Sequence, residues 1–331
     1  MRTRIPLLFA LLTVAAVLLF LLDLTVGSVA VPLREVWAAL TGGETSAATL
    51  KIVREIRLLK AIVAVAAGAA LSVSGLQMQT LFRNPLAGPY VLGISSGASL
   101  GVALFILGAP LAGGGVLAAL GPAGAAWAGS AVIIAVIAAV SRRIKDIMVI
   151  LILGMMFSSG VGAVVQILQY LSREEALKSF VIWTMGSLGD VTADRLALLL
   201  PAVAAGLALS VAAVKPLNLL LLGEPYARTM GLNVRRSRAL IFGSTTLLAG
   251  TVTAFCGPIG FIGLAVPHVA RMLFRAADHR VLLPATALLG AVVLLCCDLV
   301  SKQLTLPVNT ITALLGIPVV VWVVVRNQSI G

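Results

Sequence analysis

Long apolar tracts separated by short polar connections dominate the chain. Ten tracts stand out, at residues 5–22, 61–82, 90–109, 115–140, 147–170, 196–214, 239–256, 258–274, 281–297 and 308–325. All but the eighth are free of charge, and each of these is long enough for a helix across ~30 Å of hydrocarbon. The eighth is interrupted by His268 and Arg271 and contains Pro258 and Pro267, so it is expected to be a kinked or partly re-entrant helix. Small residues stud the tracts, as in Gly68-Ala69-Ala70 and Gly154…Gly160-Val161-Gly162, and let helix backbones approach closely. The pattern predicts an all-α integral membrane protein of about ten transmembrane helices, organised as a single transmembrane domain over 1–331.

Composition agrees with the pattern. Hydrophobic residues make up 60% of the chain and charged ones 11%, against about a quarter in soluble domains. No polar stretch is long enough to build a separate soluble core. A net charge of +12 could point to nucleic acid, but only 5% of residues are aromatic, and membrane topology accounts for the basic residues better. Cys256, Cys296 and Cys297 lie in apolar tracts and read as small buried hydrophobes. The vicinal pair could ligate a soft metal, but no nearby His or Cys completes a site, so no metal is expected. Arg2 and Arg4 precede the first tract, and Ser28-Val29-Ala30 resembles a signal-peptidase site. The run of 18 residues favours an uncleaved first helix.

Ten spans place both termini on one side. If that side is the cytoplasm, its segments hold fifteen of the 24 basic residues and three of the 12 acidic ones, the asymmetry expected of cytoplasmic loops. The external segments 23–60 and 171–195 and the cytoplasmic segment 215–238 are long enough to carry function.

The chain has no Gly-Lys dipeptide, hence no phosphate-binding loop of the GxxxxGK[ST] type, and energy must arrive from a partner. No acid lies mid-span; Asp23 and Asp298 fall at external ends, which argues against an ion-coupled carrier working alone. Of the two histidines, His268 reads as structural and His279 as solvated in a basic loop. The cytoplasmic segment suggests where a partner docks. Asn218 can cap a short helix that Gly223 ends, and Pro225 suits the first turn of a second helix that Gly231 ends. Leu219 to Leu222 are too few to span and would form an apolar patch, unless they fold under the bundle. Gln77, Gln79, Asn84, Ser95, Ser96, Gln166, Gln169 and Tyr170 are polar residues in or at the ends of apolar spans, where they either bond between helices or line a pathway.

Several blocks together resemble one family. They are Gly68-Ala69-Ala70-Leu71…Gly75…Gln79…Asn84-Pro85-Leu86-Ala87…Pro89…Leu92-Gly93…Ser96-Gly97-Ala98, Gly223-Glu224…Ala227-Arg228…Gly231, Gly257-Pro258-Ile259-Gly260-Phe261-Ile262-Gly263-Leu264…Pro267-His268…Arg271, and Leu306-Pro307-Val308…Gly316-Ile317-Pro318. The chain resembles, over essentially its whole length, the FecCD/BtuC-like permeases of iron-siderophore, haem and cobalamin ABC importers. The resemblance implies a type II ABC importer permease in the bacterial inner membrane that moves a ferric siderophore, haem or cobalamin. Its partners would be a second permease, two cytosolic ATPases and a periplasmic or lipid-anchored binding protein. It would bind no cofactor of its own, since ATP and Mg are used by the ATPases. By the same resemblance, Leu221, Leu222, Gly223, Glu224, Ala227, Arg228 and Gly231 form the ATPase-docking loop. Arg57, Lys60 and Lys302 at the external ends of their spans meet glutamates of the binding protein, the alternative being pairing with lipid headgroups or with local acids such as Glu55 or Asp298. Gln79, Asn84, Pro85, Ser96 and Gln166 line or shape the pathway, and Ser141 and Arg142 lie at the cytoplasmic gate.

The chain departs from the family pattern in places. Arg57-Leu58-Leu59-Lys60 replaces Arg-Leu-Pro-Arg, so a lysine takes the place of a planar two-bond donor. Thr305 stands where an acid is usual. Asn309 stands where Gly is usual, a change a left-handed turn can tolerate.

Overall fold

The computed structural model describes residues 4–27, 29–108, 116–141, 144 and 146–328. Among these the chain is helical with no strand. Helices α1 (Arg4–Thr25), α2 (Leu33–Thr41), α3 (Ala47–Leu81) and α4 (Ile94–Ile106) form the first part. They are followed by α5 (Val116–Ser141), α6 (Ile147–Leu171), α7 (Glu174–Thr184) and α8 (Ala193–Ala212). Two short helices, α9 (Val214–Leu220) and α10 (Glu224–Thr229), precede α11 (Val234–Cys256). The chain closes with α12 (Ile262–Phe274), α13 (His279–Leu304) and α14 (Val308–Gln328).

Each of the ten apolar tracts becomes one helix. Six of them, α1, α3, α6, α8, α11 and α13, are long and apolar enough to cross a membrane; α4, the part of α5 after its kink, α12 and α14 are shorter apolar helices. The kink in α5 is set by Gly121, at φ 65°, followed by Pro122, which cannot donate to the preceding turn. The eighth tract is indeed interrupted. Gly257 to Phe261 is irregular, with Gly257 at φ 73° and Phe261 at φ 65°, and only 13 residues remain for α12. At 1.5 Å per residue that is about 20 Å, short of the hydrocarbon thickness.

The second span starts much earlier than hydropathy suggests. Ser46 caps it by accepting from the Thr49 backbone N–H at 3.0 Å, and the helix then runs 35 residues from Ala47, about 50 Å, so its first turns project beyond the hydrocarbon. Arg54 Nε donates to the Ala39 carbonyl at 2.6 Å and ties this projecting part to the amphipathic α2.

Helix α3 lies at the centre and packs against α8, α11, α12 and α13. It touches two of them backbone to backbone. A methyl group at Gly75 would stand 1.7 Å from the Gly263 carbonyl oxygen of α12, and one at Gly68 would stand 2.3 Å from the Gly290 carbonyl oxygen of α13. In lipid the tails are as apolar as the side chains, so this close fit takes over the role that hydrophobic burial plays in water. A buried polar cluster adds to it: Gln77 Nε2 donates to Ser244 Oγ at 3.1 Å and also to Ser210 Oγ, and Thr245 Oγ1 donates to Gln77 Oε1 at 3.2 Å. Gln77 therefore bonds α3 to α8 and α11. Cys256 and Cys297 are buried and Cys296 half-buried, each a free thiol.

The helices define two ends of the bundle. The near end, where α1 begins, also holds the end of α3, the α9–α10 hairpin and the start of α13. The far end holds Asp23, Lys60 and Lys302. Gly75→Val is expected to lower the thermal unfolding midpoint in detergent, since overpacking costs about 1–3 kcal/mol. Gly160→Ala, on the open side of α6 with nothing within 4 Å, should leave the midpoint unchanged. Equal midpoints for both variants would show that the α3–α12 crossing does not depend on backbone contact.

Candidate functional site

Three groups of residues stand out, one at the far end and two at the near end. At the far end, the fully buried carboxylates Asp23 (α1) and Asp298 (α13) meet two lysines. Lys302 Nζ lies 2.7 Å from Asp23 Oδ1 and 3.0 Å from Asp298 Oδ2, and Lys60 Nζ lies 2.9 Å from Asp298 Oδ1. Arg57 is also buried. Its Nη1 donates to the carbonyls of Leu24 at 2.9 Å and Thr25 at 2.7 Å, and its Nη2 to that of Val29. Lys60 and Lys302 thus make the local acid pairing with Asp298 that the sequence offers as the alternative to docking, and with Arg57 they join the end of α1, α3 and α13. They still line one side of a cavity of about 220 Å³, with Val26, Gly27, Val29, Ile52 and Ile56. Among the described residues, the hydrogen bonds of Arg57 go to neutral carbonyls and its electrostatic partner is Asp23, so three cations share two acids and one positive charge is in excess beside the cavity.

The cap between α13 and α14 also differs from expectation. The left-handed residue there is Thr305, at φ 54°, not Asn309. Asn309 is helical, and its Oδ1 accepts from the Gly260 N–H at 2.9 Å, anchoring the irregular link before α12.

At the near end, α9 and α10 form a hairpin. Gly223, at φ 98°, makes the turn, and Pro225 fills the first helical turn of α10. Gly231, at φ 83°, ends it, with the Leu232 N–H donating to the Ala227 carbonyl at 2.9 Å. Glu224 pairs with Arg238 of α11 and lies 3.6 Å from Arg228. Leu221, Leu222, Tyr226 and Met230 are exposed and form an apolar surface, whereas Leu220 and Ala227 are buried. Ala227 thus packs inward, contrary to the expectation that it meets a partner. Asn218 does not cap α9. It lies within that helix, and its side chain reaches Asp278 and His279 at the start of α13. His279 is correspondingly buried, not solvated. Asp278 lies outside the spans, and its carboxyl is held below the usual carboxylate range by the Arg280 backbone N–H and the Asn218 amide.

The third group surrounds the turn after α3. Asn84 Oδ1 accepts from the Leu86 N–H at 2.9 Å, shaping the Asn84-Pro85 turn. His268 Nε2 lies 2.7 Å from the Pro85 carbonyl, a contact that requires a proton on Nε2. Gln79 Nε2 donates to the Leu264 carbonyl at 3.0 Å, and Gln79 Oε1 accepts from Arg271 Nη1 at 2.6 Å. Gln79 is therefore buried between helices and shapes the turn rather than facing open space. Ser95 and Ser96 are half-buried at the start of α4, and Gln166 and Tyr170 are exposed on α6, with Gln169 half-buried beside them. Ser141 closes α5, and Arg142 lies outside the described residues.

A family model of the FecCD transport family matches residues 14–326. The chain belongs to the FecCD transport family. It is 37% identical to the hemin transport system permease HmuU of Yersinia pestis, over 99% of this chain and 98% of that one. It is 36% identical to the vitamin B12 import system permease BtuC of Salmonella paratyphi A, over 88% and 89% of the two chains. A solved metal-chelate type ABC transporter in an inward-facing conformation superposes with a TM-score of 0.84 at 29% identity, covering 97% of this chain and 99% of that one. As a FecCD family member the chain is a multi-pass membrane permease subunit of an ABC importer.

Sequence reasoning named Asp298 as a local partner of these cations, which the Lys60 and Lys302 pairs bear out, but missed Asp23, Tyr226 and Met230 as site residues. The i, i+4 spacing of Asp298 and Lys302 and of Tyr226 and Met230 was the available signal. Breaking a buried ion pair by removing one partner costs about 3–5 kcal/mol. Asp298→Asn, which leaves Lys60 without an acid, should therefore lower the unfolding midpoint more than Asp23→Asn, after which Lys302 keeps Asp298. The reverse order in a thermal scan would contradict the pairing.

Proposed function

We propose that this permease imports an iron chelate, haem or a ferric siderophore, across the bacterial inner membrane, with the near end in the cytoplasm. The observation that carries the reading is the end-to-end similarity to a hemin permease, together with the exposed α9–α10 hairpin. The near end also holds the excess of basic residues expected of cytoplasmic segments. Two cytosolic ATPases would dock on Leu221, Leu222, Tyr226 and Met230, with Gly223, Glu224, Arg228 and Gly231 setting the hairpin's shape. A second copy of the chain would face α6, where Met155, Met156, Val164, Ile167 and Tyr170 are exposed. Substrate would pass between the copies along Ser96 and Gln166 to the Asn84-Pro85 turn, with Ser141 and Arg142 at the inner gate. The amides and hydroxyls there offer neutral donors and acceptors to a bulky chelate that must not stick.

A binding protein would deliver the chelate at the far end. A carboxylate of that protein would fit the cavity beside Arg57, Lys60 and Lys302, where one positive charge is in excess. The lysines are held by Asp23 and Asp298, so such a carboxylate adds mainly to Arg57. Docking would rely on two such cavities, one per copy, acting together.

The substrate is tested in proteoliposomes holding the permease, its ATPase and its binding protein. ATP-dependent uptake of haem or a ferric hydroxamate at ten or more times the rate of cyanocobalamin is expected; uptake of cyanocobalamin alone would overturn the iron-chelate reading in favour of the B12 one. Tyr226→Asp combined with Met230→Asp should cut ATPase co-purification at least tenfold without changing the permease's unfolding midpoint. Full co-purification of the double variant would remove the hairpin from the docking surface.

A further inference from the structure

Beside the direct packing of α9 on α3 and α13, a buried ring bonds the hairpin to the centre of the bundle. On α9, Asn218 Nδ2 donates to Asp278 Oδ1 at 2.6 Å, which orients the amide with its oxygen toward α13. That oxygen accepts from the His279 backbone N–H at 2.8 Å and from His279 Nδ1 at 2.8 Å. An amide oxygen carries no proton, so the contact requires the proton on Nδ1. Nε2 then points its lone pair across the ring at Thr80 Oγ1, 2.9 Å away on the last turn of α3. The Thr80 hydroxyl lies 2.9 Å from the Leu76 carbonyl as well, and its single proton serves one of these acceptors at a time. His279 and Thr80 are both buried, so bulk water does not compete for these bonds.

The position of Thr80 gives the chain of bonds its meaning. Two residues later α3 ends at Phe82; Arg83, at φ 48°, then turns the backbone into Asn84 and Pro85. The same last turn is gripped on its other side by α12, through Arg271 on Gln79 and His268 on the Pro85 carbonyl. Helix α9 thus reaches the turn through Thr80 and α12 reaches it through Gln79 and Pro85. A planar ring with one nitrogen donating and the opposed one accepting sets both the distance and the direction between α9 and α3.

We propose that His279 is the positioning residue that carries movement of the α9–α10 hairpin to the end of α3 and the Asn84-Pro85 turn. The proposal rests on the reading of that hairpin as the ATPase-docking surface. It predicts that replacing the ring by an apolar side chain uncouples the turn from the nucleotide state while ATP hydrolysis by the partner persists.

The test uses the full permease–ATPase complex in proteoliposomes, with Cys256, Cys296 and Cys297 replaced by serine or alanine and Asn84→Cys as reporter. The rate of its reaction with a small hydrophilic maleimide is measured with and without ATP and vanadate. With His279 intact the rate should change at least fivefold between the two states. In His279→Leu the change should fall below twofold, with basal ATP hydrolysis and ATPase co-purification retained. His279→Gln, whose amide can donate to Asn218 and accept from Thr80, should restore at least half of the change. An undiminished change in His279→Leu overturns the proposal, as does a loss that His279→Gln fails to restore while the complex remains assembled. If the Tyr226→Asp, Met230→Asp double variant still binds the ATPase, the docking reading fails first, and the relay falls with it.

Discussion

Backbone contact along α3 is the constraint on which the rest of the bundle depends. In lipid there is little hydrophobic gain from bringing one apolar helix against another, so association must come from close fit and from hydrogen bonds that lipid cannot supply. Gly68 and Gly75 let α13 and α12 approach α3 until carbonyl oxygens occupy the space a side chain would need. Gln77 then joins α3 to α8 and α11 through hydroxyls. With four helices fixed to it, α3 sets the relative positions of the Asp23–Lys302–Asp298–Lys60 cluster at one end and the Asn84-Pro85 turn at the other.

The two ends are built on different physics. At the far end the bonds are ionic and buried, and they join α1, α3 and α13 into one unit. Removing a partner there leaves a charge without compensation in a dry site, so the arrangement favours rigidity. At the near end the bonds are mostly neutral: amide to imidazole, hydroxyl to imidazole, imidazole to carbonyl. Neutral groups can exchange partners at lower cost than buried charges, as the proposed movement of this turn would require. The hairpin that projects from this end has two apolar side chains on each arm and a Glu224–Arg238 pair holding its base to α11.

Membership of the FecCD family gives this division its use. On the proposed reading, the near end would receive work from a partner ATPase at the hairpin surface and pass it inward along the bonded route. The far end offers a rigid frame with one positive charge in excess.

Hydropathy and spacing by themselves determined the ten helices, the break before α12 and the hairpin turns at Gly223 and Gly231, because these follow from local rules: apolar length, proline's missing donor and glycine's access to positive φ. The sequence also carried the family resemblance. Hydropathy alone did not reveal that α3 begins at Ala47: the Ser46 cap is a local signal outside the apolar tract, and the Arg54 bond that holds this part to α2 depends on a neighbouring helix. The sequence could not separate buried charge from solvated charge either. It left Arg57, Lys60 and Lys302 open between docking and local acid pairing, and read His279 as a solvated loop residue, because burial of a polar group depends largely on partners distant in sequence. Lys302 meets Asp23 across 279 positions and His279 meets Thr80 across 199. Only the tertiary structure brings those partners together, and in a dry interior their presence decides whether a charged or polar side chain serves as structure or as surface.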